Sequence, residues 1–215
     1  MKPYYEQDGI VIYHGDCAEV IASVEIKADL MLTDPPYGIG SWSSTGGNSI
    51  KADEAEMANK WDVLPPKETM EALVALSKTS IVWGGNYLAG LLGAWKTPLI
   101  WDKAIRGMHF ADGELAWTNF DFGSLRIFNL AAAASDSRGE RKHPTQKPVQ
   151  LMRWCIDVAE KGVEIETVFD PFMGSGTTLR AAKDMGKKAI GIEFEERYCE
   201  IAATRLAQGS LFALD

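Results

Sequence analysis

The chain has 215 residues, 46% hydrophobic and 24% charged, with 22 Lys and Arg against 30 Asp and Glu for a formal net charge of −8. This suits one globular domain with a buried core and argues against a protein that simply coats nucleic acid, which would be basic. Three widely spaced cysteines, Cys17, Cys155 and Cys199, with no CxxC, argue against a disulfide framework and a structural zinc site, and the lack of an apolar leader or of about 18 consecutive apolar residues reads as a soluble, cytoplasmic chain.

In chain order, Ile10–Tyr13 reads as a short strand. Asp29–Thr33 reads as a buried one that stops at Asp34-Pro35-Pro36-Tyr37. Residues 38–60 are rich in Gly, Ser and Asn and then charged, and read as a long functional loop. Pro65-Pro66 opens a helix with Met70, Leu73, Val74 and Leu76 on its stripe. Ser80–Gly84 is a strand, a short helix is expected near Tyr87–Trp95, and Pro98–Asp102 is another strand. Residues 103–143 are less regular, with Leu125–Leu130 their clearest strand. A helix follows Pro148, with Met152, Cys155, Ile156 and Ala159 on one face. The strand Thr167–Phe169 runs into a glycine turn and a helix to about Met185. The strand Lys188–Ile192 and a helix from about Glu195 to Ala207 complete the chain. Strands alternating with helices predict a parallel α/β sheet, whose ligands bind beyond the carboxyl ends of the strands.

Two motifs fall at such ends. The first is Asp170-Pro171-Phe172-Met173-Gly174-Ser175-Gly176-Thr177-Thr178. Its glycines allow close backbone approach, and the helix start favours an anionic group. A nucleotide phosphate would want Lys where Thr177 stands, and a dinucleotide fingerprint would want Gly or Ala where Leu179 stands. The methionine carboxylate of S-adenosylmethionine is the third reading. Glu193, at the end of the next strand, then suits ribose hydroxyls. A bare turn closing strand onto helix is the alternative.

The second motif is Asp34-Pro35-Pro36-Tyr37. Two prolines remove two backbone donors and stiffen the chain. The turn therefore presents acceptors, the Asp34 carboxylate and the Pro35 carbonyl, beside the flat face of Tyr37. That combination suits an exocyclic base amine, whose two hydrogens need two acceptors. A rigid turn with a core tyrosine is the structural alternative.

Together these residues resemble the amino-methylating DNA methyltransferases in their permuted, beta-class arrangement, where Asp-Pro-Pro-Tyr precedes the glycine-rich cofactor motif. The resemblance extends over residues 10–205. It implies a Rossmann-like S-adenosylmethionine-dependent methyltransferase fold, with a doubly wound, mostly parallel sheet in circularly permuted order and the last two strands beside the first. It further implies one domain over 1–215, with small target-recognition insertions at about 38–60 and 103–143. The catalytic residues it implies are Asp34, Pro35, Pro36 and Tyr37. Those implied to bind cofactor are Asp16, Cys17, Asp34, Lys147, Asp170, Pro171, Phe172, Gly174, Ser175, Gly176, Thr177, Thr178 and Glu193, with no metal. Asp16 matches the turn at the cofactor adenine, and His143-Pro144-Thr145-Gln146-Lys147-Pro148 the segment near its methionine end. Asp112–Trp117 matches a stretch read as structural. The partner is DNA with a base flipped from the duplex, gripped through a local basic face at Arg138–Lys147. The small insertions imply a short or relaxed recognition sequence, or a homodimer that completes the grip. Asp at position 34 favours adenine N6. Cytosine N4 in the same pocket is the nearest alternative, methylation of RNA or a protein amide a further one, and a catalytically silent DNA-binding module the alternative of another class. Trp83, Trp101 and Trp117 are expected in the core, Trp42 and Trp61 are candidates for DNA contact, and Cys155 is expected as a buried thiol.

Overall fold

The computed structural model describes residues 1–40, 62–107, 111–131 and 146–208. Its strands are β1 (Tyr5–Gln7), β2 (Ile10–His14), β3 (Ala28–Thr33), β4 (Ser77–Trp83), β5 (Leu99–Asp102), β6 (Gly113–Thr118), β7 (Arg126–Asn129), β8 (Thr167–Asp170) and β9 (Lys188–Glu193). Its helices are α1 (Cys17–Ser23), α2 (Lys67–Ala75), α3 (Val149–Ala159), α4 (Thr177–Asp184) and α5 (Glu196–Ala207). The strands form one sheet in the order β1-β2-β9-β8-β3-β4-β6-β5-β7. From β2 to β4 every neighbour is parallel, so β8 and β9 stand between β2 and β3, as the permuted order requires. Pairing turns antiparallel at β1–β2, β4–β6 and β5–β6, and is parallel again at β5–β7.

Strand alternation sorts the core onto two faces. Leu30 and Leu32 pack with Leu151, Ile156, Leu179 and Cys199 of α3, α4 and α5. Met31, between them, packs with Val20, Met70 and Leu73 of α1 and α2. β3 is therefore buried on both sides, which explains its run of apolar residues. Trp83, Trp101, Trp117 and Cys155 are buried as expected.

Four elements differ from the sequence reading. No helix forms over Tyr87–Trp95. A series of turns starts there with Tyr87 and Leu88 donating to the Gly84 carbonyl at 2.8 and 3.2 Å, and Gly93 stands at φ +52°, which helix geometry forbids. α1 was not anticipated, being only seven residues long. Its signal is Asp16, whose carboxylate accepts from the Ala18 and Glu19 amides at 2.9 and 3.3 Å as an N-cap. β1 was also missed, although Asp8-Gly9 at φ +53° and +77° is the turn pair that favours a tight hairpin. β6 emerges from the stretch read as irregular. The basic-face candidate lies outside the described residues except for Gln146 and Lys147, as do Trp42, Trp61 and His143–Thr145.

Candidate active site

The parallel register brings the carboxyl ends of β2, β9, β8, β3 and β4 to one edge. Gly15 donates to the Glu193 carbonyl at 3.0 Å and His14 Nε2 meets the Phe194 carbonyl at 3.0 Å, joining the ends of β2 and β9. Thr33 Oγ1 donates to Asp170 Oδ1 at 2.7 Å, joining the ends of β3 and β8. The two Asp-Pro turns, 136 residues apart in sequence (Asp34 and Asp170), thus open onto a single cavity of about 1260 Å³. Asp16, Cys17, Asp34, Pro35, Pro36, Tyr37, Lys147, Asp170, Pro171, Phe172, Gly174, Ser175, Thr177, Thr178 and Glu193 all line it.

Gly176 is the one predicted site residue that does not line it. At φ +75° it caps α4, and a Cβ there would come within 2.8 Å of Ala202 Cβ on α5. Its glycine serves the turn and close helix packing. Gly174, at φ +50°, has nothing within 4 Å of a built Cβ and leaves open space on the cavity side. The turn is seated on β9 because Gly191 leaves room for Met173 and Leu179, whose Sδ and Cδ2 would lie 2.4 and 2.8 Å from a Cβ.

Glu193 receives two backbone amides, Gly174 on Oε2 at 2.9 Å and Glu195 on Oε1 at 2.8 Å. Burial pushes its carboxyl up to about 7 against these bonds. Burial likewise lifts Asp170 to about 6, opposed by hydrogen bonds from Thr33, Thr178 and the Phe172 amide. Asp16 keeps its capping role while lining the cavity, which the exposed Phe194 also lines.

At the other end, Tyr37 is fixed from several sides. Its hydroxyl donates to Asp34 Oδ1, and its ring stacks on Tyr87 with centroids 5.1 Å apart at 22°. Gly84 at φ +74° admits it, since a Cβ there would lie 2.0 Å from Tyr37 Cε1. Behind the turn, the buried Asp62 carboxylate accepts four consecutive amides, those of Tyr37, Gly38, Ile39 and Gly40, at 2.9 to 3.1 Å.

Lys147 lines the cavity but departs from the outer basic face in which its sequence neighbours place it. Only 6% exposed, it adds nothing to an outer basic face, because its ammonium lies 2.6 Å from Asp34 Oδ2, 2.9 Å from Glu114 Oε2 and 3.4 Å from Tyr37 Oη. Glu114 Oε1 is in turn 2.6 Å from Lys103. Burial alone would lower the Lys147 ammonium, but Asp34 and Glu114 hold it well above its ordinary value. Burial raises Asp34 above the usual carboxylate range, with Lys147 opposing. For Glu114 the balance is reversed: burial is overcome by Lys147 and Lys103, which bring it to about 2. Sequence reasoning missed Glu114, Asp62, Tyr87 and Phe194. For Glu114 the signal was an acid directly before the apolar run Leu115-Ala116-Trp117. For Asp62 there was no local signal. The described residues hold no cluster suited to a metal ion and no helix long and apolar enough to cross a membrane.

The family model for N6/N4 methyltransferases, described as DNA methylase, matches residues 94–204. The type II methyltransferase M2.LlaDCHI of Lactococcus lactis subsp. cremoris is 25% identical over 261 aligned positions, which cover 99% of this chain and 95% of that protein. Among solved structures, the M1.HpyAVI complex with S-adenosylmethionine aligns at TM-score 0.60 and 23% identity, covering 93% of this chain and all of that one. PvuII DNA methyltransferase, described as cytosine-N4-specific, aligns at TM-score 0.62 and 18% identity, covering 98% and 90%. These likenesses give the sheet its name, a Rossmann-like methyltransferase fold. The family match spans over half of the 215 residues and includes the glycine turn and Glu193, while Asp34–Tyr37 lies outside it and meets that turn in space. The chain belongs to the N6/N4 DNA methylase family.

Proposed function

We propose that this protein transfers a methyl group from S-adenosylmethionine to the N6 amine of adenine in DNA. The supporting observation is the convergence of Asp34 and the Asp170–Thr178 turn on one cavity, tied by the 2.7 Å bond from Thr33 to Asp170. The cavity residues fit this cofactor. Phe194 offers an exposed ring and Asp16 a carboxylate for an adenine. Glu193 can accept ribose hydroxyls, because each carboxylate oxygen has a second lone pair beyond the amide it already receives. The open space at Gly174 admits the methionine end. When bound, the cofactor supplies a methyl group already activated on a sulfonium.

The chain's own residues then have to improve a poor nucleophile. An aromatic amine delocalises its lone pair into the ring. Asp34 and the Pro35 carbonyl, accepting its two hydrogens, favour a more pyramidal nitrogen with the lone pair aimed at the methyl. Transfer of the methyl would break its bond to sulfur and leave a neutral thioether, and the proton that the methylated nitrogen then loses would pass to Asp34, whose carboxyl burial raises above its ordinary value. Tyr37, held by Asp34, Gly84 and Asp62, offers a fixed aromatic wall. The insertions at about 38–60 and 103–143 then contact the duplex, within one domain.

Asp at position 34 supports adenine; the fold likeness to PvuII methyltransferase keeps cytosine N4 as the second reading. Incubation with labelled cofactor and DNA, followed by digestion to nucleosides, separates them. N6-methyladenine is expected. N4-methylcytosine as sole product would overturn the adenine reading, and no labelled nucleoside would overturn the activity.

Cofactor binding should depend on pH. Asp170 and Glu193 have carboxyls raised from 3.8 and 4.5 to about 6 and about 7. The folded state therefore holds extra protons, and the stability these two groups contribute is full at acid pH and lost as pH rises through 6 and 7. The ionised acids, by contrast, are the better acceptors for a hydroxyl-bearing, cationic ligand. Calorimetric affinity for the cofactor is expected to rise between about pH 6 and 8, and to rise less in Glu193→Gln. An identical slope in wild type and variant would remove Glu193 from the ribose role.

A further inference from the structure

Lys103, Glu114, Lys147 and Asp34 form a chain of alternating charge that runs from the end of β5 through β6 to the Asp34 turn, with links of 2.6, 2.9 and 2.6 Å. The four charges sum to zero. The Lys147 ammonium donates to Asp34 Oδ2 and Tyr37 Oη, and Glu114 Oε2 lies 2.9 Å from it at ion-pair distance with no hydrogen bond of its own. Tyr37 already occupies Asp34 Oδ1. The carboxylate that has to receive the target amine is therefore in contact with a buried cation that competes for the same lone pairs. What limits this competition is Glu114. It lies within ion-pair distance of the same ammonium, and Lys103 pins its second oxygen at 2.6 Å.

We propose that Glu114 is a positioning residue of the methyl transfer: by sharing the Lys147 ammonium between two carboxylates, it keeps Asp34 from closing into a simple ion pair and leaves it open to the amine. This rests on the function proposed above and assigns Glu114 and Lys147 to the base side of the cavity. With Glu114 neutral, the cluster of Asp34, Lys147 and Lys103 carries one excess positive charge, and Lys147 turns its full charge on Asp34. With Lys147 neutral as well, Asp34 and Lys103 balance again and the competitor is gone. Removing a second charged group should then restore what removing the first took away. A purely structural ion pair reverses in the same way only in stability, because removing the second partner also removes the buried charge that the first left unpaired; the reversal that carries the proposal is therefore read in kcat/KM, on variants shown by their melting curves to be folded at the assay temperature.

The experiment compares wild type, Glu114→Gln, Lys147→Gln and the double variant. It measures kcat/KM for DNA methylation at saturating cofactor, with cofactor affinity measured separately by calorimetry. Glu114→Gln is expected to lose about tenfold or more in kcat/KM, the scale of one charge-assisted hydrogen bond, with cofactor affinity within about twofold of wild type. The double variant is expected to exceed Glu114→Gln by several-fold. Should Glu114→Gln fail to fold, as its melting curve would show, Glu114→Asp replaces it as a single variant: the shorter acid draws off less of the Lys147 ammonium and is expected to lower kcat/KM several-fold with cofactor affinity unchanged, and wild-type kcat/KM in it would overturn the proposal. A double variant no more active than the single one, unchanged activity on removing Glu114, or lowered cofactor affinity as the main defect would each overturn the proposal. Absence of methyl transfer by the wild type would instead overturn the activity on which it rests.

Discussion

Asp34→Ala is expected to abolish turnover, by about a thousandfold or more, while cofactor affinity stays within a few-fold of wild type. The substitution removes the carboxylate that, in the proposed function, is one of the two acceptors for the target amine and takes its proton, and a preorganised group of this kind is worth about a hundred- to a thousandfold. The cofactor end does not depend on it, because Glu193 is held by Gly174 and Glu195 and Asp170 by Thr33 and Phe172. The fold should survive. Lys147 loses one anion but keeps Glu114 at 2.9 Å, and the Tyr37 hydroxyl loses its acceptor. A stability loss of about 1–3 kcal/mol follows, the usual cost of one broken buried polar contact. Single-turnover methylation, calorimetry with the cofactor and a thermal melt check the three parts. Loss of cofactor binding as the primary defect would contradict the division of the cavity into a base end and a cofactor end.

Asp62→Ala is expected to be the most damaging change outside the cavity's chemistry. One buried carboxylate there satisfies four successive amides, from Tyr37 to Gly40. Two of these residues, Gly38 and Gly40, stand at φ +67° and +53°, so the peptides turn their N–H groups toward a common centre. Without the carboxylate the amides lack an acceptor. Water can replace part of it, but the turn that fixes Tyr37 loosens. Several unmet donors at about 1–3 kcal/mol each, partly hydrated, predict a loss of about 3 kcal/mol and a melting temperature about 10 °C lower. Activity should fall through the DNA parameters, with cofactor affinity preserved. Asn should rescue little, since it returns one acceptor oxygen and adds two donors. Normal kinetics in Asp62→Ala would show that Tyr37 holds its place without this anchor.

What the sequence made legible follows from distance along the chain. Asp34–Tyr37, the glycine turn and Glu193 are each written in a few consecutive residues, at the ends of apolar runs that mark strands, and the parallel sheet then guarantees that they share an edge. The partners of those residues are not local. Lys147 lies 113 residues from Asp34, and its neighbours in sequence suggested an exposed basic face; only the fold turns it inward. Glu114 lay in a stretch read as irregular and structural, and only the antiparallel pairing of β6 with β4 and β5 sets it within 2.9 Å of Lys147. Asp62 reaches back 25 residues to Tyr37 across a segment with no pattern of its own. No helix forms at Tyr87–Trp95 because Gly84 before it and Gly93 within it stand in the left-handed region. The glycine at 84 is needed for Tyr37, a contact that no local pattern encodes.

The central claim is that a methyl donor on the Asp170–Thr178 turn faces an amine held at Asp34 within one cavity. A bisubstrate ligand that joins an adenine N6 by a short linker to the methyl-bearing position of the cofactor tests it most directly. Titrated calorimetrically, it should bind one to one, with a Kd at least about a hundredfold below that of either half, and both Asp34→Ala and Glu193→Ala should weaken it. A Kd no better than that of the tighter half, or sensitivity to only one of the two substitutions, would contradict the shared cleft.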